Sequence, residues 1–499
     1  MILFKTIVVV SSLILAFNSI NAQVKSSQLV ENNIEKIFNK FSSKKEFKNA
    51  SIGFIVKSVS DSSNLFEYNP DISLTPASIQ KIITTSTALE LYGKKYKIPT
   101  YLQYDGYIDS NKTLHGNIYI KGNGDPTLGS EYFNKDKGQS YFIEQWVNKI
   151  KNNGIDSIAG NIIGDDLSFP KYESPNTWIW GDIGNYFGAP ASGLSIYDNT
   201  FKIFFSPGDS ISALAKINKI TPEIPNFNIQ NEVKISKIDK DLAYITGSPN
   251  EFNRFISGSI PKKNEDFIVK GSLPEPSYII SNELSNSLKS QNIRIAGYPI
   301  SIRKLLNDTS ILNSKRVNID TLYSPSFKNI VGLTNLISNN LYAEHLLLQC
   351  AAKRSTIIDI DTSCKIIKEF WGEKGIDTSG MYMSDGSGLS KFNAVTPRQF
   401  AEILYYMRTK SKNTDAFFES LPIAGKTGTL KSLCKGTVAE GHVFAKSGTI
   451  TRVRNYAGYY KNLSNKEFIF VIMLNNYNCS NDQAKKYIEE LLIDLVKVN

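Results

Sequence analysis

Apolar residues recur at helical spacing in Leu29, Ile34, Ile37, Phe38 and Phe41, which predicts an amphipathic helix. Ser51-Ile-Gly-Phe-Ile-Val-Lys-Ser-Val59 then reads as a strand, Asp61-Ser-Ser as a turn and Leu65-Phe-Glu-Tyr68 as the returning strand of a hairpin. A helix follows. Thr75 suits its N-cap, Pro76 its first position and Gly93 its end, while Ile79, Ile82, Ile83 and Leu89 supply buried faces. From about residue 99 to 274 the pattern changes. Short apolar runs such as Gly116-Asn-Ile-Tyr-Ile-Lys121 and Phe201-Lys-Ile-Phe-Phe205 alternate with Gly, Pro and Asp turns, so this stretch is β-rich. Proline and serine mark a possible small lobe over about 206–245. Helical spacing returns at 277–291, 333–352 and 397–409. The chain ends in three strands, 443–446, 455–460 and 468–474, and a helix over 482–496.

The first hairpin and the last three strands therefore look like halves of one α/β (α+β) domain, an antiparallel sheet flanked by helices. The expected organisation is a first part over 23–98, an inserted β-rich region over 99–274 and a second part over 275–499. A length of 499 residues calls for two or three domains, and 41% hydrophobic and 11% aromatic content fills their cores. The formal charge of +10 is spread along the chain. Nucleic-acid binding would want a basic cluster, so none is expected; a solvated surface drawn to an anionic envelope polymer fits better.

The start of the chain adds a compartment. Met1-Ile-Leu-Phe-Lys5, an apolar run over 6–17 and Asn21-Ala22-Gln23 read as a signal peptide over 1–22, cleaved near Ala22. The run is too short for a comfortable membrane span; the alternative is an uncleaved anchor, and an exported, soluble, periplasmic chain with no stable membrane span is expected. Cys350, Cys364, Cys434 and Cys479 match no zinc spacing. They allow three disulfide pairings or buried free thiols, and the spacing does not choose. No metal or cofactor is expected.

Three short motifs carry chemistry. Ser78 and Lys81 stand three apart, about one helical turn, so the amine can take the hydroxyl proton and make serine a nucleophile without histidine. Ser338-Asn-Asn340 offers a hydroxyl relay and an amide, although serine and asparagine also serve as ordinary helix caps. Lys-[Ser/Thr]-Gly supplies a cation and a hydroxyl for a carboxylate, with a glycine that lets substrate lie against an edge strand. It occurs twice, at Lys426-Thr-Gly and Lys446-Ser-Gly. Two strands and a helix follow Lys446 at once, whereas a loop follows Lys426. The assignment is therefore Lys446 with Ser447, Gly448 and Thr449, leaving Lys426 in a surface or cleft-edge turn. A phosphate loop at Gly425-Lys-Thr fails because Ser420 stands where the first glycine belongs. Only His115, His345 and His442 are available for a Ser-His-Asp triad, and His345 lies in an apolar helix that reads as packing.

In this order the motifs resemble the penicillin-recognising active-site serine enzymes. The closer resemblance is to the D-alanyl-D-alanine carboxypeptidase/endopeptidases, the class C low-molecular-mass penicillin-binding proteins. Pro76-Ala-Ser-Ile-Gln-Lys81, Gly122-Asn-Gly-Asp-Pro-Thr-Leu128, Ser384-Asp-Gly-Ser-Gly-Leu-Ser390 and Leu421-Pro-Ile-Ala-Gly425 are similar to segments of that family. Ser338 follows Lys81 by 257 residues (338 − 81), which leaves room for the family's inserted domains. The resemblance implies a β-lactamase/transpeptidase-like split domain. It implies Ser78 as nucleophile, Lys81 as base, Ser338 as relay to the leaving amine, Asn340 on the substrate amide and Lys446 as second cation. Ser447, Gly448 and Thr449 would bind the terminal carboxylate, with the N–H groups of Ser78 and Thr449 as oxyanion hole. Implied partners are peptidoglycan peptides ending in D-Ala-D-Ala, with β-lactams as inhibitors and no metal or cofactor. The alternatives are a serine β-lactamase, which lacks room for the insert, and a non-catalytic penicillin-binding protein. Ser384-Asp-Gly-Ser-Gly reads as a tight turn, structural or at the cleft rim.

Overall fold

A computed structural model describes residues 28–134, 138–170, 174–206, 208, 210–263 and 265–498. The proposed signal peptide lies outside them. A five-stranded antiparallel sheet forms from strands at both ends of the chain: β1 (Ser51–Ser58), β2 (Asn64–Tyr68), β3 (Val443–Ile450), β4 (Val453–Lys461) and β5 (Glu467–Asn475), in the order β2-β1-β5-β4-β3. Side chains alternate across a strand, so one strand serves two cores. On β5, Ile469, Val471 and Met473 enter the core shared with the helices Lys81–Tyr92 and Asn340–Arg354. Phe468, Phe470, Ile472 and Leu474 enter the opposite core, against the helix over 28–42 and the helix Asn481–Val496. This two-sided burial explains why β5 reads as an unbroken apolar run.

The inserted body extends beyond residue 274, where the sequence placed its end. Its main sheet runs Pro299–Ser301, Ile162–Asp165, Ile118–Lys121, Pro99–Tyr104 and Val317–Tyr323. The helix Pro276–Ser290 sends Ile279, Ile280, Leu284 and Leu288 into the same core as Ile118 and Ile162. Helical spacing shows that a helix has a buried face but not which sheet covers it, so its place in the inserted body is not readable from the sequence. The small lobe expected at 206–245 also differs. Its strands continue to Ser259–Pro261, and Ile235, Ile245 and Ile260 join Phe201 and Val269 in that one core. Among the described residues no helix is long and apolar enough to cross a membrane. All four cysteines are free thiols, Cys350, Cys364 and Cys434 buried and Cys479 half-buried.

Candidate active site

Ser78 sits in a short 3₁₀ turn, Ala77–Gln80, and Lys81 opens the α-helix Lys81–Tyr92. The expected Thr75 cap is absent; no side chain caps the turn, and Ala77 adopts a left-handed φ of 47°. The sheet holds this entry instead. Asn455 donates its amide to the carbonyls of Thr75 (2.9 Å) and Pro76 (2.8 Å), and Asn475 donates to Thr75 (3.2 Å). Non-glycine residues pay for left-handed backbone, so a turn of this kind persists where its surroundings over-determine it.

Gly448 contributes by having no side chain. A Cβ there would lie 2.6 Å from the Pro76 carbonyl oxygen and 3.0 Å from the Ser78 nitrogen. The glycine therefore lets the Ser78 turn lie against edge strand β3, a close approach that the sequence did not show.

Lys81 is fully buried and its amine has three neighbours: Ser78 Oγ at 3.0 Å, Asn340 Oδ1 at 2.7 Å and the Ser387 carbonyl at 2.7 Å. Asn340 turns its oxygen to Lys81 because its Nδ2 donates to the Phe187 carbonyl of the insert (2.8 Å). Two neighbours thus only accept. A neutral amine has two N–H bonds and one lone pair; with both N–H bonds taken, the lone pair faces Ser78. Burial lowers the Lys81 pKa to about 7, against smaller upward pulls from Asp385 and Glu344. The neutral amine is accordingly populated near neutrality, in the orientation a general base needs.

Opposite stands Ser338. The single expected helix over 333–352 is two, Phe327–Ile337 and Asn340–Arg354, broken at Ser338 with φ 61°. Lys446, fully buried on β3, donates to Ser338 Oγ at 2.8 Å and to the Ser447 carbonyl at 2.8 Å. Burial first, and then Lys81, hold the Lys446 pKa well below the usual lysine range. A carboxylate arriving beside Lys446 would favour its charged form.

Thr449 is exposed at the end of this strand and accepts from Arg454 Nη1 (3.0 Å), a cation that no motif had flagged. Ser447 Oγ lies 2.9 Å from Thr429 Oγ1, so the loop bearing Lys426-Thr-Gly borders the site through its next residue. Lys426 itself is exposed.

The Asp385-Gly-Ser-Gly turn, expected as structural or at the cleft rim, is buried directly under Lys81. Asp385 accepts from Gly388 N (2.8 Å), Ser390 N (2.6 Å) and Trp178 Nε1 (2.9 Å), which fixes the turn that presents the Ser387 carbonyl. Neither these tertiary contacts nor Phe187 and Asn455 leave a local sequence signal. His345 is buried, with Nδ1 on the Leu341 carbonyl and Nε2 on Ser195 Oγ at 2.9 Å, and burial lowers its pKa to about 4. Ser195 is itself buried and no carboxylate orients the ring, so this pair is packing rather than a triad. Among the described residues no cluster of His, Cys, Asp and Glu could hold a metal ion.

The D-Ala-D-Ala carboxypeptidase 3 (S13) family matches residues 32–495. A D-alanyl-D-alanine carboxypeptidase DacB of Haemophilus influenzae is 23% identical over 448 residues, covering 87% of this chain and 88% of its own. A D-alanyl-D-alanine carboxypeptidase of Actinomadura is 22% identical, covering 82% of this chain and 74% of its own. The crystal structure of penicillin binding protein 4 from Haemophilus influenzae superposes with a TM-score of 0.75 at 21% identity, over 90% of this chain and 96% of that one.

Proposed function

The chain belongs to the D-Ala-D-Ala carboxypeptidase 3 (S13) family and is a serine-type D-Ala-D-Ala carboxypeptidase; we propose that it binds β-lactams and that its residues divide the reaction as follows. Ser78 attacks the carbonyl of the penultimate D-alanine of a peptidoglycan stem peptide while neutral Lys81 takes its proton. The N–H groups of Ser78 and Thr449 receive the oxyanion; one such donor is worth roughly 10²–10³ in rate. Ser338, bonded to Lys446, passes a proton to the leaving amine, and D-alanine departs. Lys446, Ser447 and Thr449, with Arg454 beside them, hold the terminal carboxylate. Water then hydrolyses the acyl-enzyme. The same steps cut a D-alanyl cross-link when the leaving amine belongs to a second stem, so endopeptidase action accompanies carboxypeptidase action. We further propose that the chain is exported to the periplasm, where this substrate lies.

The observation that carries this reading is the arrangement of Lys81, whose two N–H acceptors leave its lone pair on Ser78. The test is D-alanine release from a stem pentapeptide, and dimer cleavage, by paired variants. Lys446→Ala is expected to lose roughly 10²-fold or more, as for other groups that stabilise transition-state charge. Lys426→Ala, exposed and outside the site, keeps its activity. The reverse outcome would move the carboxylate site to the other lysine.

A further inference from the structure

Glu344 stands one turn after Asn340 on the helix Asn340–Arg354 and is 4% exposed. No step above uses it. Its carboxyl meets the backbone of the buried turn: Oε1 accepts from Ser387 N at 2.8 Å and Gly386 N at 3.2 Å, and Oε2 accepts from Gly386 N at 3.0 Å. On the other side of the same segment, Thr84 Oγ1 donates to the Gly386 carbonyl at 2.7 Å and Lys81 donates to the Ser387 carbonyl at 2.7 Å. The segment is clamped between one carboxyl and the catalytic helix.

Burying a carboxyl is costly unless its acceptors are satisfied, and an apolar side chain would fill the place more cheaply. Burial, and then Asp385, push the Glu344 pKa above the usual carboxyl range. The titratable groups around it are Lys81 on the helix Lys81–Tyr92, Asp385 in the turn, Cys364 on the helix Ile360–Glu373, and Asp359 and Asp361, which line a cavity of about 290 Å³ that Glu344 also borders.

We propose that Glu344 is a positioning residue for the base. It braces the Gly386–Ser387 segment so that the Ser387 carbonyl takes one N–H of Lys81 and the lone pair stays on Ser78. The inference rests on Lys81 being that base. Without the brace the carbonyl swings away, Lys81 regains rotational freedom, and its ammonium form loses an acceptor.

The experiment measures the acylation rate constant for a fluorescent penicillin against pH, with thermal unfolding, in Glu344→Met, Glu344→Gln and Lys81→Met. Glu344→Met fills the volume without an acceptor and is expected to acylate roughly 10–100-fold more slowly, the scale of a small misplacement of reacting groups. Its acid limb should also lie at lower pH than that of the wild type, because the ammonium form has lost support. Glu344→Gln keeps an oxygen that accepts from both N–H groups and should recover most of the lost rate. A fold defect alone would lower stability and amplitude without moving the limb. An unmoved limb, a glutamine variant no better than methionine, or a methionine variant as fast as wild type would each overturn the proposal. Wild-type acylation in Lys81→Met would instead overturn the base assignment beneath it.

Discussion

Ser78→Ala is expected to give no penicilloyl adduct and to release D-alanine from a pentapeptide roughly 10⁴–10⁶-fold more slowly, the scale seen when a serine nucleophile is removed. The loss should be this large because nothing near Ser78 can replace it. Ser338 Oγ is bonded to Lys446 rather than to the base, and Ser447 Oγ faces Thr429. Stability should change little, since Ser78 is only half-buried and its turn is fixed by Asn455, Asn475 and Gly448. Mass mapping of a penicillin-treated sample checks this. Wild type should carry one adduct on the peptide containing Ser78. An adduct that survives in Ser78→Ala would mean that another residue is acylated.

Lys81→Met is expected to slow acylation by roughly 10²–10⁴-fold, the usual range for a general base. Geometry sets this role before charge does. Asn340 is oriented by Phe187 and the Ser387 carbonyl by its turn, so both N–H bonds of the neutral amine are spoken for. Methionine has similar length and leaves the pocket filled, so the fold should persist, with a lower stability because the Asn340 Oδ1 and the Ser387 carbonyl each lose a donor, at roughly 1–3 kcal/mol per orphaned acceptor. Penicillin affinity before acylation should fall far less than the rate, because Lys81 reaches no carboxylate subsite. Stopped-flow separation of binding from acylation reads the two effects apart. A variant that loses affinity and keeps its acylation rate would assign Lys81 to binding instead.

Much of the site was legible because its chemistry is local. Ser78 and Lys81 sit three apart whatever surrounds them, and the strands after Lys446 separate it from Lys426 by context alone. What the motifs could not show is how they are held. Asn455 pins the nucleophile turn from 377 residues away (455 − 78), Phe187 reaches Asn340 from the insert, and Glu344 acts through a backbone segment. Such contacts depend on tertiary packing and have no spacing rule. Gly448 carries a related lesson: its motif position was plain, but its neighbour is the Ser78 turn. The sheet was readable because β1 and β5 bury both faces and so show continuous apolar runs. The boundary of the insert was not, since an amphipathic helix advertises one buried face without naming its partner. The helix Pro276–Ser290 and the strand Val317–Tyr323 therefore joined the insert unannounced.

If a neutral Lys81 activates Ser78, the pH dependence of wild-type penicillin acylation must follow the titration of that amine. Burial lowers this amine from the ordinary lysine value to about 7, so the neutral fraction grows as pH rises through that value. Acylation should climb through about pH 7 and level off above it, and the rising limb should vanish in Lys81→Met. A rate that keeps climbing toward pH 10, or one flat from pH 5 to 9, would mean that neutral Lys81 is not the base.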